Sequence, residues 1–266
     1  MEKKAVVFDN SGTLIERYRV IKDIKRNKLI TNINSLNLID KYPSLALIIL
    51  QFDSIKLLNI PEDYLISEYI IKNNIDFDLS FSTISISTEK IKKIIEKEKK
   101  ATAKDITESF SILKEMIPDC QICNGSALII DVEKEEIAYT ITSAGRFFPN
   151  VEDTIKKLKE NNFEIFIASG DRSGAIKKLT EILKIPNENG FPTASTKRKG
   201  EIVKNLKNEG YEVTMVGDGL NDLIAFENSD ISILTLEQKE EVSPKIIGKT
   251  DYTIEKFSEI IPILLK

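Results

Sequence analysis

Three short apolar runs in this chain each end in a cluster of small polar and acidic residues, and this repetition constrains the fold more than any other feature. Residues 4–8 (KAVVF) lead into Asp9-Asn10-Ser11-Gly12-Thr13. Residues 163–168 (FEIFIA) lead into Ser169-Gly170-Asp171, and residues 212–216 (EVTMV) into Gly217-Asp218-Gly219-Leu220-Asn221-Asp222. Unbroken apolar runs of this length are the mark of strands covered on both faces. Helical stripes separate them. Asn150 stands as an N-cap before Val151, Ile155 and Leu158, and Ile176, Leu179 and Leu183 share one face. Residues 201–206 fall in another helix and residues 223–226 in a short one. Residues 231–236 read as a further strand, with a closing helix from about Glu255. Alternation of this kind predicts a parallel sheet flanked by helices, an α/β fold.

The middle of the chain breaks the rhythm. Residues 15–147 separate the first strand from its continuation. Within them Ile106, Phe110, Leu113 and Ile117 make a helical face, and residues 127–132 and 137–142 flank a charged turn as a hairpin. Residues 89–104 are rich in lysine, but glutamates interleave and Ile91, Ile94 and Ile95 follow helical spacing, so a solvated amphipathic helix is expected. The simplest organisation is a core of residues 1–14 and 148–266 carrying an inserted α+β domain of residues 15–147. With 266 residues the chain is long enough for two such parts.

Composition excludes several classes of function. The chain has no histidine, so a Ser-His-Asp triad, a His-ligated zinc site and an imidazole base are impossible. A net charge of −4 gives no electrostatic case for nucleic acid. No apolar stretch approaches the length that spans a bilayer, and no secretion region opens the sequence, so no membrane insertion and a cytoplasmic location are expected. Cys120 and Cys123 form a Cys-x-x-Cys with no second pair, which suits two small residues in a turn better than a metal site. Nothing in the sequence specifies an oligomeric state.

In open parallel sheets, ligands sit beyond the carboxyl ends of the strands. Three strand ends here deliver carboxylates, hydroxyls and glycine amides to one edge, within reach of Lys199. Asp9 and Asp218 can hold Mg²⁺, which takes oxygen ligands and keeps several waters. Amides at Ser169 and Gly170, with the serine hydroxyl, can cradle phosphate oxygens. Without histidine, an aspartate nucleophile forming an aspartyl-phosphate is the economical route. Asp171 reads as a helix-start residue.

FDNSGTL, IASGD, Lys199 and MVGDGLND, in this order, resemble the haloacid dehalogenase (HAD) superfamily, and more narrowly the phosphorylation domain of P-type ATPases. The resemblance covers residues 4–14 and 149–266. It implies a Rossmann-like HAD core with a parallel sheet, plus an inserted α+β cap domain that covers the site and selects the substrate. It also implies Asp9 as nucleophile, with Lys199 and Asp222 completing the catalytic set. Thr13, Ser169, Gly170 and Asn221 would bind the phosphoryl group, and Asp9, the Ser11 carbonyl and Asp218 would hold Mg²⁺. The substrate would be a small phosphoester or a nucleotide. Most HAD phosphatases carry an acid/base aspartate where this chain has Ser11, so slow turnover is expected, and Ser11→Asp is expected to raise it. Two other readings stand beside the phosphohydrolase: a phosphate or nucleotide sensor that does not turn over, and a soluble P-type-ATPase-like ATP hydrolase. A third makes the chain a soluble partner of a separate membrane transporter.

Overall fold

The protein is described from a computed structural model covering residues 3–31, 35–52, 54–117, 122–240 and 242–265. Strand β1 (Lys3–Phe8) is followed by β2 (Ile15–Asp23), β3 (Lys28–Ile30), α1 (Ser35–Lys41), β4 (Leu45–Leu50) and α2 (Ile66–Lys72). Next come β5 (Phe77–Ser82), α3 (Thr88–Lys97), α4 (Ala103–Met116) and a hairpin, β6 (Ile122–Asp131) with β7 (Glu136–Phe147). The chain then alternates through α5 (Val151–Glu160), β8 (Phe163–Ala168), α6 (Ser173–Ile182), β9 (Gly190–Phe191), α7 (Thr196–Asn208) and β10 (Tyr211–Gly217). It closes with α8 (Leu223–Asn228), β11 (Ile231–Thr235), β12 (Tyr252–Ile254) and α9 (Ile260–Leu264). Two compact units result: Met1–Arg17 with Arg146–Lys266, and Tyr18–Gly145.

The first unit is built on a six-stranded sheet in the order β12-β11-β10-β1-β8-β9, with every pairing parallel. From Ala5 to Phe8 its central strand β1 is buried on both faces, which is why that stretch is uninterrupted apolar. On one face Ala5, Val7, Val213 and Met215 join Ile202, Val203 and Leu206 of α7 and Ala225 and Phe226 of α8 in one cluster. On the other, Phe8 meets Phe257 with ring centroids 5.4 Å apart. Each such large apolar side chain contributes roughly 1.5–3 kcal/mol by leaving water. The strand order reverses between β1 and β10: chain to one side of β1 precedes β10, and chain beyond β10 lies to the other. Loops after these two strands therefore diverge and leave a crevice at the carboxyl edge, the place where such sheets bind ligands.

The second unit is an antiparallel sheet in the order β3-β2-β7-β6-β4-β5, with helices packed on it. Ile66 and Ile70 of α2, Ile91, Ile94 and Ile95 of α3 and Ile106 of α4 cluster with Ile48, Leu128 and Ile130 of the sheet. Ile39 of α1 packs with Leu45, Leu47, Ala127, Ile129 and Ile141, the alternate residues of the same strands.

Local details depart from the sequence expectations. The lysine-rich run does not form one helix. α3 ends at Lys97, because Glu98 folds inward and its carboxylate accepts from the amides of Lys100, Ala101 and Ile137. The face of α4 is centred on Ser109, with Phe110 only half-buried, because the serine hydroxyl is satisfied by the Asp105 carbonyl at 3.0 Å. Asn150 occupies the N-cap position of α5 but has φ of 65° and makes no side-chain cap. The closing helix starts at Ile260, after a 3-10 turn at Phe257–Glu259. Cys123 lies in β6 and not in a turn, and Cys120 lies outside the described residues. Among the described residues no helix is long and apolar enough to cross a membrane.

Candidate active site

Asp9 follows β1 directly, and its amide donates to the Val216 carbonyl of β10 at 2.9 Å, which locks the two strand ends together. Asp218 and Asp222 lie in the loop and 3-10 turn after β10. Carboxylate oxygens of Asp9, Asp218 and Asp222 lie within 4.8 Å of one another. Lys199, in the first turn of α7, is completely buried and donates to Asp9 Oδ1 at 2.5 Å and to Asp222 Oδ1 at 2.6 Å. The other Asp222 oxygen accepts from the Gly219 amide at 3.2 Å. Its neighbours Lys197 and Arg198 have side chains 85% and 52% exposed, so Lys199 alone of the three reaches the site.

Two glycines make this proximity sterically possible. Gly12 has φ of +94°, and a Cβ there would sit 1.9 Å from Asp218 Oδ2. A Cβ on Gly217 would sit 2.5 Å from Asp222 Oδ2. The loops are thus closed to any side chain at either position.

The electrostatics are those of an acidic cluster short of positive charge. Burial pushes the Asp9 carboxyl well above its ordinary range. Lys199 pulls against that shift, while Asp222 and Asp218 reinforce it. Burial likewise raises Asp218, to about 6, opposed first by Arg17. For Lys199, burial favours the neutral amine, but Asp222 and Asp9 outweigh it and hold the ammonium charged above its usual range. Asp9, Asp218, Asp222 and Glu240 face only Lys199 and Arg17, and this excess of carboxylates fits a hard divalent cation such as Mg²⁺, which takes oxygen ligands and usually keeps waters. Buried hydroxyl and amide oxygens nearby point the same way: Thr13 Oγ1 and Asn10 Oδ1 have no hydrogen-bond partner among the described residues. A buried polar atom left without a partner is costly unless a ligand or water satisfies it.

The expected site residues are not all used as the sequence suggests. Asp9, Lys199, Asp218 and Asp222 form one constellation, and Thr13 is fully buried in the same loop as Asp9. The Ser169 amide is not free for phosphate. It donates to the Phe191 carbonyl of β9 at 3.0 Å, because β9 adds to the edge of β8, and the Ser169 hydroxyl donates to Asp171 at 2.8 Å. Gly170 and Asn221 lie half-buried in their loops, and the hydrogen bonds of the carboxylate cluster run through Lys199 and Gly219, not through them. Asp171 does not cap α6: Arg172 holds the N-cap position, and the Asp171 carboxylate turns to Asn10, Ser11 and Ser169 instead.

Sequence reasoning missed Arg17. Its guanidinium donates to the Ser11 carbonyl at 3.2 Å and to Glu240 at 2.7 Å, and its charge is held by Asp218 above all. Gln238 clasps its backbone from both sides, accepting from the Arg17 amide and donating to its carbonyl. A basic residue just downstream of an acidic loop was the available signal.

Residues 3–230 match the family model of haloacid dehalogenase-like hydrolases. A soluble P-type ATPase-like phosphatase of Methanocaldococcus jannaschii is 38% identical over 99% of this chain and 94% of its own. A chloroplast copper-transporting ATPase of Arabidopsis thaliana is 27% identical over 50% of this chain, which corresponds to 15% of the transporter. A phosphoserine phosphatase solved as a phospho-aspartyl intermediate analogue aligns over 99% of both chains at 18% identity, with a TM-score of 0.48.

Proposed function

Because the chain belongs to the haloacid dehalogenase-like hydrolases, we propose that it is a Mg²⁺-dependent phosphohydrolase that works through an aspartyl-phosphate on Asp9. The observation that carries this reading is the buried chain Asp9–Lys199–Asp222, with Asp218 within 4.8 Å across the crevice. Asp9 and Asp218 would hold Mg²⁺, with the Ser11 carbonyl as a further ligand through the lone pair that Arg17, donating to it at 3.2 Å, leaves over. When bound, the ion would neutralise phosphate charge and orient the phosphoryl group for in-line attack. The residues do the rest. Asp9 Oδ1 is held by Lys199, so its other oxygen is the one presented as nucleophile. Lys199 remains cationic throughout and offsets the charge that spreads over the phosphoryl oxygens. Asp222 fixes the Lys199 ammonium and the Gly219 turn. Thr13 offers its unpartnered hydroxyl to a phosphoryl oxygen. Ser11 has no carboxyl group to give or take a proton. General acid–base help is worth ~10²–10⁴-fold, so slow turnover follows.

The test is phosphate release with Mg²⁺ from small phosphoesters, acyl phosphates and nucleotides, with Asp9→Asn protein as the blank. Acid-quenched wild-type protein should carry hydroxylamine-labile phosphate, and the blank should carry none. If ligands in the panel bind tightly but neither phosphate release nor an adduct appears, the chain is a sensor and the hydrolase reading falls.

A further inference from the structure

Asp171, in the loop after β8, is not required by the chemistry above, yet its carboxylate accepts hydrogen bonds from two residues of the nucleophile loop. Its Oδ2 accepts from Asn10 Nδ2 at 2.7 Å, from Ser169 Oγ at 2.8 Å and from Ser11 Oγ at 3.3 Å. Its own amide donates to Ser169 Oγ at 3.1 Å, and its carbonyl accepts from the Thr193 amide at 2.9 Å. The side chain is therefore pinned from several directions, with one oxygen aimed at Asn10 and Ser11, the two residues that follow Asp9.

This arrangement gives the Ser11 hydroxyl a carboxylate to donate to, at 3.3 Å, and so biases its polarity. A hydroxyl has one proton to donate and two lone pairs with which to accept. When the proton is given to Asp171, Ser11 is left as an acceptor toward the other side. We propose that Asp171 is a positioning residue for the second half-reaction: it turns Ser11 into a hydrogen-bond acceptor that holds and orients the hydrolytic water. The inference rests on the aspartyl-phosphate reading. In that step the water oxygen bonds to phosphorus and the bond from phosphorus to Asp9 breaks. The electron pair goes to Asp9 as carboxylate, and the product leaves as dihydrogen phosphate carrying both water protons. No proton need pass to Ser11 or Asp171, so the pair acts by orientation alone. Phosphoryl transfer to Asp9 does not use this water, so it is expected to depend on Asp171 only through the bracing of Asn10 and Ser169, and much less than the second half-reaction does.

The experiment separates the two half-reactions. Wild type, Asp171→Ala, Ser11→Ala and the double variant are labelled with radioactive acetyl phosphate and Mg²⁺. Rapid quench then gives the rate of adduct formation, and a chase with unlabelled donor gives its lifetime. Ser11→Ala keeps the backbone carbonyl, so it removes the hydroxyl alone. Each single variant should lengthen the adduct lifetime about tenfold, the scale of one well-placed hydrogen bond to a charged partner. Adduct formation should change much less than its lifetime in each variant. The double variant should be no slower than either single one, because the two side chains act as a unit. Unchanged lifetimes, additive effects, or equal losses in formation and decay would overturn the proposal and leave Asp171 as a structural brace. If wild-type protein forms no hydroxylamine-labile adduct, the aspartyl-phosphate reading itself falls, and this role falls with it.

Discussion

At position 11 a carboxylate would meet another carboxylate. The sequence alone expects Ser11→Asp to raise turnover by restoring a general acid. The structure places Asp171 Oδ2 at 3.3 Å from Ser11 Oγ, so an aspartate at 11 would face like charge at hydrogen-bond range. Two carboxylates sharing such a space cannot both stay ionised without cost. The gain from Ser11→Asp is therefore expected to be small in the wild-type background and larger, approaching tenfold or more, in an Asp171→Asn background. Steady-state phosphate release by the four proteins of this cycle checks it, and an equal gain in both backgrounds would show that the two positions do not communicate. The contact with Asp171 escapes sequence reading because the two side chains are 160 positions apart. Arg17 escapes for the same reason, since its partner Glu240 is 223 positions away. By contrast, Asp9, Asp218 and Lys199 were legible. Each stands at the end of a strand or the start of a helix whose own pattern was plain.

Among the elements, legibility followed length. β1, β8, β10 and β11 are five to seven residues long and mostly apolar, so their place in a buried sheet is written in their composition. β9 and β12, of two and three residues, are too short to show any period, and they exist because neighbouring strand edges offer unpaired amides and carbonyls. That matters for function, because β9 takes up the Ser169 amide that the sequence assigned to phosphate. The turn after β1 offers its own test. Gly12 and Gly210 both have positive φ, +94° and +87°, but only Gly12 is hemmed in, and a Cβ on Gly210 meets nothing within 4 Å. Gly210→Ala should cost only the conformational strain, ~1–2 kcal/mol. Gly12→Ala should cost more and should also displace Asp218, so Mg²⁺ should no longer raise its melting temperature. Urea unfolding and thermal shift with and without Mg²⁺ distinguish the two. A Gly12→Ala protein that still responds to Mg²⁺ would exclude Asp218 from the cation site.

For the whole molecule, the cluster of raised carboxyls sets how stability responds to pH. Asp218 has a folded value of about 6 against an ordinary 3.8, so between these values the folded chain binds more protons than the unfolded chain. Its contribution to stability is therefore largest in acid and declines as pH rises through about 6. Asp9 acts in the same direction, since burial raises it too. Asp131, Asp230 and Asp251 are lowered, so their contribution is lost only as pH falls through their folded values, below the ordinary 3.8. Lys199 is raised and keeps its contribution well past neutrality. The acidic cluster, with Glu237, whose carboxyl is also raised by burial, thus shapes the window from about pH 4.5 to 7.5. Asp218→Asn removes one titrating member without changing its size. Without metal, the gap between the variant and the wild type should be narrow near pH 4.5, where only the first part of the Asp218 contribution has been lost, and should widen as pH rises through about 6. At pH 7.5 the variant should melt higher, by roughly 2–8 °C for a protein of this size. Added Mg²⁺ should reverse the order at pH 7.5 by stabilising the wild type alone, since a cation that binds only the folded state stabilises it by mass action. Near pH 4.5 the ion should have little effect, because protons then hold the oxygens it needs. Melting curves of both proteins at the two pH values, with and without Mg²⁺, give the comparison. A wild type that melts above Asp218→Asn at pH 7.5 without metal would mean that Arg17 already satisfies Asp218, leaving no deficit of positive charge for a cation to fill.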